Sequence, residues 1–221
     1  MVRDNPSITK GIISGYRKAK AVPYDYDRDP NDVAKLAPIA REIVGEPPAK
    51  PSGLGKMERV ELCVRETIAH LQKSIEHNRL SDVLYDDAGT PRKEIVSQRL
   101  IYAIAEIFAK HYDVDLSREG NAGPGAVDFR FTVGHDARLL VEVKLSTHER
   151  LKNGYYEQLP AYATAESVKR LILLVIRVST NDSRLTSLIE SIKKKALPIQ
   201  LVVVDAVPKP SASKRPYRDT P

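Results

Sequence analysis

The stretch that decides the fold reads Val127-Asp128-Phe129-Arg130-Phe131-Thr132-Val133-Gly134-His135-Asp136-Ala137-Arg138-Leu139-Leu140-Val141-Glu142-Val143-Lys144-Leu145. Side chains alternate between the two faces of a strand, so Val127, Phe129 and Phe131 share one face while Asp128, Arg130 and Thr132 share the other. From Arg138 onward, Leu139, Val141, Val143 and Leu145 form an apolar face, and Leu140, Glu142 and Lys144 lie opposite. Between the runs, Val133-Gly134-His135-Asp136-Ala137 carries the turn residues of a hairpin. The simplest register pairs Thr132 with Arg138. The same register sets Asp128 opposite Glu142, with Cβ atoms roughly 4.5 to 5.5 Å apart.

Two carboxylates in that position repel, unless one is protonated or a cation lies between them. A divalent metal resolves the conflict. Hard oxygen ligands with room for water and a phosphate suit Mg²⁺ or Mn²⁺, and Lys144 beside them suits positioning or helping to deprotonate an attacking water. The plainer alternative is a solvated strand face bearing ordinary ion pairs, which an isolated E-x-K would favour. Asp128, Gly125 before it, and Gln158 and Tyr162 downstream shift the reading toward a metal site.

In order along the chain, Gly125-Ala126-Val127-Asp128, Glu142-Val143-Lys144 and Gln158 with Tyr162 four residues on resemble the motifs of the PD-(D/E)XK nuclease superfamily, specifically its RecB-like branch. The similar region spans roughly residues 91–206. The resemblance implies Asp128 and Glu142 as metal ligands, Lys144 as the residue that orients the attacking water, and Gln158 and Tyr162 as supports for the site or the bound strand. It also implies an acidic residue from the first helix, for which Glu94 stands ready; Glu94 equally suits the exposed N–H groups and dipole of a helix start. Val127 replaces the proline of the superfamily's name. The four-cysteine iron-sulfur cluster of some RecB-like exonucleases cannot form, because Cys63 is the single cysteine.

The surrounding pattern predicts an α/β domain with the restriction-endonuclease-like αβββαβ core, a central mixed sheet flanked by helices. A helix over 92–112 carries Ile101, Ile104, Ala105 and Phe108 on one stripe, which Glu94 and Gln98 extend, while Arg99, Tyr102, Glu106 and Lys110 fall on the outer face. Asp113 to Ser117 suits a short strand, and Arg118 to Gly125 a loop in which Glu119 could support the site. A helix over 153–167 bears Gln158 and Tyr162 at i, i+4; Pro160 between them requires a start near Glu157 or a kink. Leu171 to Ile176 reads as a strand buried on both faces, Asn181 to Lys195 as an amphipathic helix, and Leu201 to Val204 as a last strand.

Residues 1–90 form a less legible N-terminal region. Tyr16, Tyr24 and Tyr26 precede a helix at 32–45, a proline-rich linker follows at 47–52, and a helix at 57–77 has the stripe Val60, Val64, Ile68, Leu71, Ile75. Cys63 on that stripe reads as core. Gly53-Leu54-Gly55-Lys56 lacks the preceding strand and following Ser or Thr of a phosphate loop and reads as linker. This region could recognise nucleic acid, dock a partner, or cover one face of the sheet. No histidine pair has metal-ligand spacing.

The formal charge of +6 falls unevenly: residues 1–90 hold 14 Lys or Arg against 14 Asp or Glu, so the whole excess belongs to residues 91–221. A nucleic acid gains from counterion release at such a surface. Lys152, Lys169, Arg170 and Lys193, with Lys194 and Lys195, are the expected contacts, and the tail 207–221 with Lys209, Lys214, Arg215 and Arg218 reads as a basic disordered segment. No run suits a membrane span, the charged start lacks a signal peptide, and one cysteine fits a reducing cytoplasm. The expectation is a Mg²⁺-dependent (or Mn²⁺-dependent) nuclease, most plausibly a DNA endonuclease of restriction, phage defence, repair or mobile-element biology. It would act alone, as a homodimer or within a larger defence or repair complex. The alternative is an inactive nuclease-like module that binds nucleic acid or a protein.

Overall fold

The computed structural model describes residues 33–118 and 127–209. In chain order its elements are α1 (Val33–Val44), α2 (Lys56–His77), a 3-10 turn (Leu80–Leu84), α3 (Glu94–Tyr112), β1 (Asp115–Ser117), β2 (Phe129–Val133) and β3 (Ala137–Leu145). A helix, α4, follows in three parts: Leu151–Asn153, Gly154–Gln158 and Leu159–Glu166. Then come β4 (Arg170–Arg177), α5 (Ser183–Lys194) and β5 (Gln200–Asp205). The expectations for Gly125, Glu119, Tyr16, Tyr24, Tyr26, Lys214, Arg215 and Arg218 lie outside the described residues.

The hairpin has the register that strand parity requires. Thr132 pairs with Arg138 and Phe129 with Val141, and Gly134 makes the turn at φ 67°, a conformation that disfavours side chains. Around this hairpin the chain builds an open mixed sheet in the order β1-β2-β3-β4-β5. The first three strands run antiparallel, and β3, β4 and β5 run parallel. The chain is thus α/β.

Each face of the sheet has its own core. Phe129, Phe131, Leu139, Val141 and Val143 pack with Leu71 and Ile75 of α2 and Ile104 and Phe108 of α3. Leu140, Leu171, Leu173 and Val175 pack with Tyr155 and Leu159 of α4 and Leu185 and Leu188 of α5. The continuous apolar run of β4 follows from this, since it is buried on both sides. α2 therefore does what one of the open readings of the N-terminal region proposed: it covers a face of the sheet. Cys63 is fully buried there and its thiol is pushed up to about 12 by burial, so it is a core residue.

α2 also shields the open edge of the sheet. Gln72 Nε2 donates to the Val203 carbonyl at 3.3 Å, and Glu76 Oε1 accepts from the Asp205 N–H at 3.0 Å. Polar side chains thereby occupy backbone groups that would otherwise invite another strand.

Pro160 neither starts nor breaks α4. The Gly154–Gln158 segment is wound as a π-helix, with the Leu159 N–H bonded to the Gly154 carbonyl. A proline lacks an N–H and crowds the carbonyl four residues back; the wider turn accommodates it and keeps the helix continuous.

Because α2 forms one wall of the main core, a chain beginning at residue 91 should lose its cooperative unfolding transition. Leu71→Ala in the full chain should cost about 2–5 kcal/mol in urea unfolding.

Candidate active site

β3 outlasts its neighbour. β2 begins opposite Val141, whereas β3 continues to Leu145 with β4 alongside on the other edge only. The N–H groups of Val143 and Leu145 therefore face no strand, and buried backbone donors must find acceptors. Two carboxylates take them. Asp128 Oδ2 accepts from Val143 at 2.7 Å, and Glu94 Oε2 accepts from Leu145 at 3.0 Å. Gln98, one turn after Glu94 on α3, donates Nε2 to Asp128 Oδ1 at 2.7 Å, so both Asp128 oxygens are fixed.

Between these acids lie Glu142 and Lys144. Lys144 Nζ stands 2.7 Å from Glu142 Oε1 and 3.4 Å from Glu94 Oε1. Glu94 is the first residue of α3, and its carboxylate meets the Leu145 N–H and Lys144 Nζ of β3 rather than its own helix start.

Burial makes this cluster costly. Glu142 is 2% and Lys144 7% exposed, and a buried charge must be paired. Glu94, Asp128 and Glu142 bring three carboxyl groups to a single ammonium. Glu142 Oε2 is buried with no hydrogen-bond partner. Burial, then the charge of Glu142, pushes the Asp128 carboxyl up to about 7. Burial also raises Glu142, against the pull of Lys144. For Lys144, burial opposes the charge, but Glu142 first, then Asp128 and Glu94, outweigh it and raise the pKa. Lys144 is thus an ammonium, a donor rather than a base.

α4 closes the site from the other side. A Cβ on Gly154 would lie 3.7 Å from both Lys144 Cγ and Gln158 Oε1, so Gly154 of the π-helical segment packs against the stem of Lys144 on one hand and the Gln158 amide on the other. Gln158 Oε1 is buried without a hydrogen-bond partner. Tyr162 is half-buried, and its hydroxyl pKa is raised by burial and then by Glu142. Asp128, Glu142, Lys144, Gln158, Tyr162 and Glu94 are thus brought to one place. Among the described residues no three His, Cys, Asp or Glu side chains form a ready-made metal centre. The acids instead gather around Lys144.

The expected nucleic-acid contacts are scattered. Arg170 pairs with Leu139 across the sheet, Leu173 with Glu142 and Val175 with Lys144, which puts Arg170 three residues, about 10 Å, along the strand from Glu142 and five, about 17 Å, from Lys144. Lys169 and Arg170 line a cleft of about 860 Å³ between α2 and the beginnings of β4 and β5, and Arg170 Nε is 2.6 Å from Glu61. Lys193 lies in the last turn of α5, at that same far side; among the expected contacts only Lys152, in the first turn of α4, stands at the site's end of β3. Gln98 was read from sequence only as an extension of the apolar stripe. Its signal was an amide one helical turn from Glu94, on a face otherwise given to core.

A family model described as a domain of unknown function, DUF8371, matches residues 60–180, more than half of the chain. The chain belongs to that family. No curated protein and no solved structure matches it. The matched span runs from α2 to just beyond β4 and contains every member of the acid cluster.

A raised carboxyl pKa means that the folded state holds a proton the unfolded state has lost. Stability in EDTA should therefore fall as pH rises from about 4 through about 7, by on the order of 4 kcal/mol from Asp128. Urea unfolding across that range should show the decline in the wild type and a markedly flatter profile in Asp128→Asn.

Proposed function

We propose that this protein is a metal-dependent nuclease that hydrolyses phosphodiester bonds in nucleic acid, acting as a DNA endonuclease. The observation that carries the reading is the cluster of carboxyl groups at the end of β3, Glu94, Asp128 and Glu142 around Lys144, with Glu142 Oε2 buried and without a partner. Protons or a cation must offset their charge, and a catalytic phosphodiesterase has use for a cation there. The order α3-β1-β2-β3-α4-β4 around the acids agrees with the restriction-endonuclease-like core that the sequence motifs suggest.

Asp128 and Glu142 would hold Mg²⁺ or Mn²⁺, whose charge stabilises negative charge on the phosphoryl oxygens and favours ionisation of water. Glu94, held by Leu145, is the third acid within reach of Lys144. Gln98 and the Val143 N–H hold Asp128 in one orientation, so its oxygens need not reorganise during the reaction. Lys144, charged and tethered to Glu142, orients the attacking water by donating to it and offsets the charge that grows at phosphorus. Gln158 and Tyr162 line the α4 side, where an amide and a hydroxyl can bond the strand being cut. Attack in line with the leaving 3′ oxygen completes the reaction.

Incubation with plasmid, linear and single-stranded DNA and with RNA, in Mg²⁺, Mn²⁺ or EDTA, tests this reading. Cleavage should require metal and should fall by about 10²–10³-fold in Asp128→Ala and Lys144→Ala. Cleavage that survives both substitutions would reject the site, and binding without cleavage of any substrate would favour the inactive module.

A further inference from the structure

The cleft of about 860 Å³ between α2 and the beginnings of β4 and β5 takes no part in the acid cluster. Its apolar lining comes from Val64, Ile68 and Ala69 of α2 and from Leu139, Ile172 and Val202 of the sheet. Ala69 is exposed and Ile68 and Val202 are half-buried, so part of that lining is left to water. The cleft opens on the sheet face of Leu139 and Val141, whereas Glu142 and Lys144 share the parity of Leu140 on the other face.

β5 is the last strand of the sheet, and its outer backbone is only half covered. The Ala206 N–H turns to Arg177 of β4, whereas the Val203 carbonyl and the Asp205 N–H turn away from β4, to Gln72 and Glu76. Backbone groups alternate in direction along a strand, so the Leu201 N–H and carbonyl and the Val203 N–H also turn away. None of the described residues bonds these three groups. α2 thus caps the later half of the edge and leaves the earlier half, which lines the cleft, uncapped.

An open edge beside an apolar hollow takes an added strand, whose main chain meets the free groups while alternate side chains enter the hollow. The rim says which strand. Arg65, Lys169 and Arg170 stand there against Glu61, and Glu61 is bound to Arg170 at 2.6 Å. Lys169 is exposed and bonded to none of the described residues, and Arg65 is 3.9 Å from Glu66 with 70% of its side chain exposed. An acidic segment is favoured at such a rim. A nucleic acid would meet the cations, but none of the described lining residues is an aromatic ring on which a base could stack.

We propose that this edge is a docking site for an extended acidic segment of a partner protein, which adds to β5 along Leu201–Val203, sends apolar side chains into the cleft and sets carboxylates against Lys169 and Arg65. The inference goes beyond the nuclease reading and does not depend on it. Docking there leaves the opposite face, with the acids, uncovered.

The test is to pan a random-peptide phage library against the full chain and then to titrate the selected peptides, and an oligonucleotide, all fluorescently labelled, by anisotropy. Wild type is compared with Leu201→Pro, Ala69→Tyr and Lys169→Glu. Proline removes the outward N–H of Leu201 and is tolerated on an edge strand, and Ala69→Tyr fills the cleft from an exposed position. Selected peptides should alternate apolar with acidic residues. Their binding should weaken at least tenfold in Leu201→Pro and Ala69→Tyr and about fivefold in Lys169→Glu. Thermal unfolding identifies a variant that fails to fold, and Ala69→Tyr serves if the proline variant does. No selected peptide, basic selected peptides, or peptides that bind Leu201→Pro and Ala69→Tyr as they bind wild type would overturn the proposal. Oligonucleotide binding lost in Lys169→Glu, with no peptide selected, would give the cleft to nucleic acid instead. A dimer in light scattering that Leu201→Pro dissolves would give the edge to a second copy of the chain.

Discussion

The site exists because β3 is longer than β2. Past Val141, one edge of β3 has β4 beside it and the other has none, so two buried N–H groups must be met by something other than a strand. Asp128 and Glu94 meet them. Since successive outward-facing groups on a strand lie about 6.7 Å apart, that overhang sets the spacing of two carboxylates before any ligand enters. Parity then inserts Glu142 and Lys144 between them.

From that constraint comes the electrostatic conflict. A sheet that needs hydrogen-bond acceptors at its frayed corner receives acids, and a third acid arrives on the neighbouring residue. Lys144 offsets part of the excess and is held as an ammonium by it. Around the cluster, the structure spends local regularity on position. α4 adopts a π-helical segment beside the lysine, which lets Pro160 and the Gln158–Tyr162 face coexist, and α3 begins at the residue that reaches β3. A neutral amide does part of the fixing: Gln98 holds Asp128.

Much of this was legible in the sequence, for identifiable reasons. Strand alternation has a period of two, so pairing across the turn at Gly134 fixed the register. That turn is three residues long, because Val133 and Ala137 pair where the sequence predicts a five-residue loop, and Asp128 just before β2 acts on Glu142 through charge. Helical periodicity likewise put Glu94 on the inward stripe of α3. The failures came where periodicity carries no information. Arg99 and Tyr102 read as outer-face residues, yet Tyr102 packs on Phe129 because β1 and β2 flank that side of the helix. Nothing in the spacing around Pro160 distinguished a π-helical turn from a kink, since both relieve the same clash.

The central claim is that the corner of β3 is built to take a divalent cation. Isothermal titration of Mn²⁺ into the wild-type chain, Asp128→Asn and Glu142→Gln tests it most directly. The account predicts saturable binding to the wild type and loss of that binding in both variants, with all three chains folded. Wild-type protein that binds no Mn²⁺, or variants that bind it as the wild type does, would contradict it.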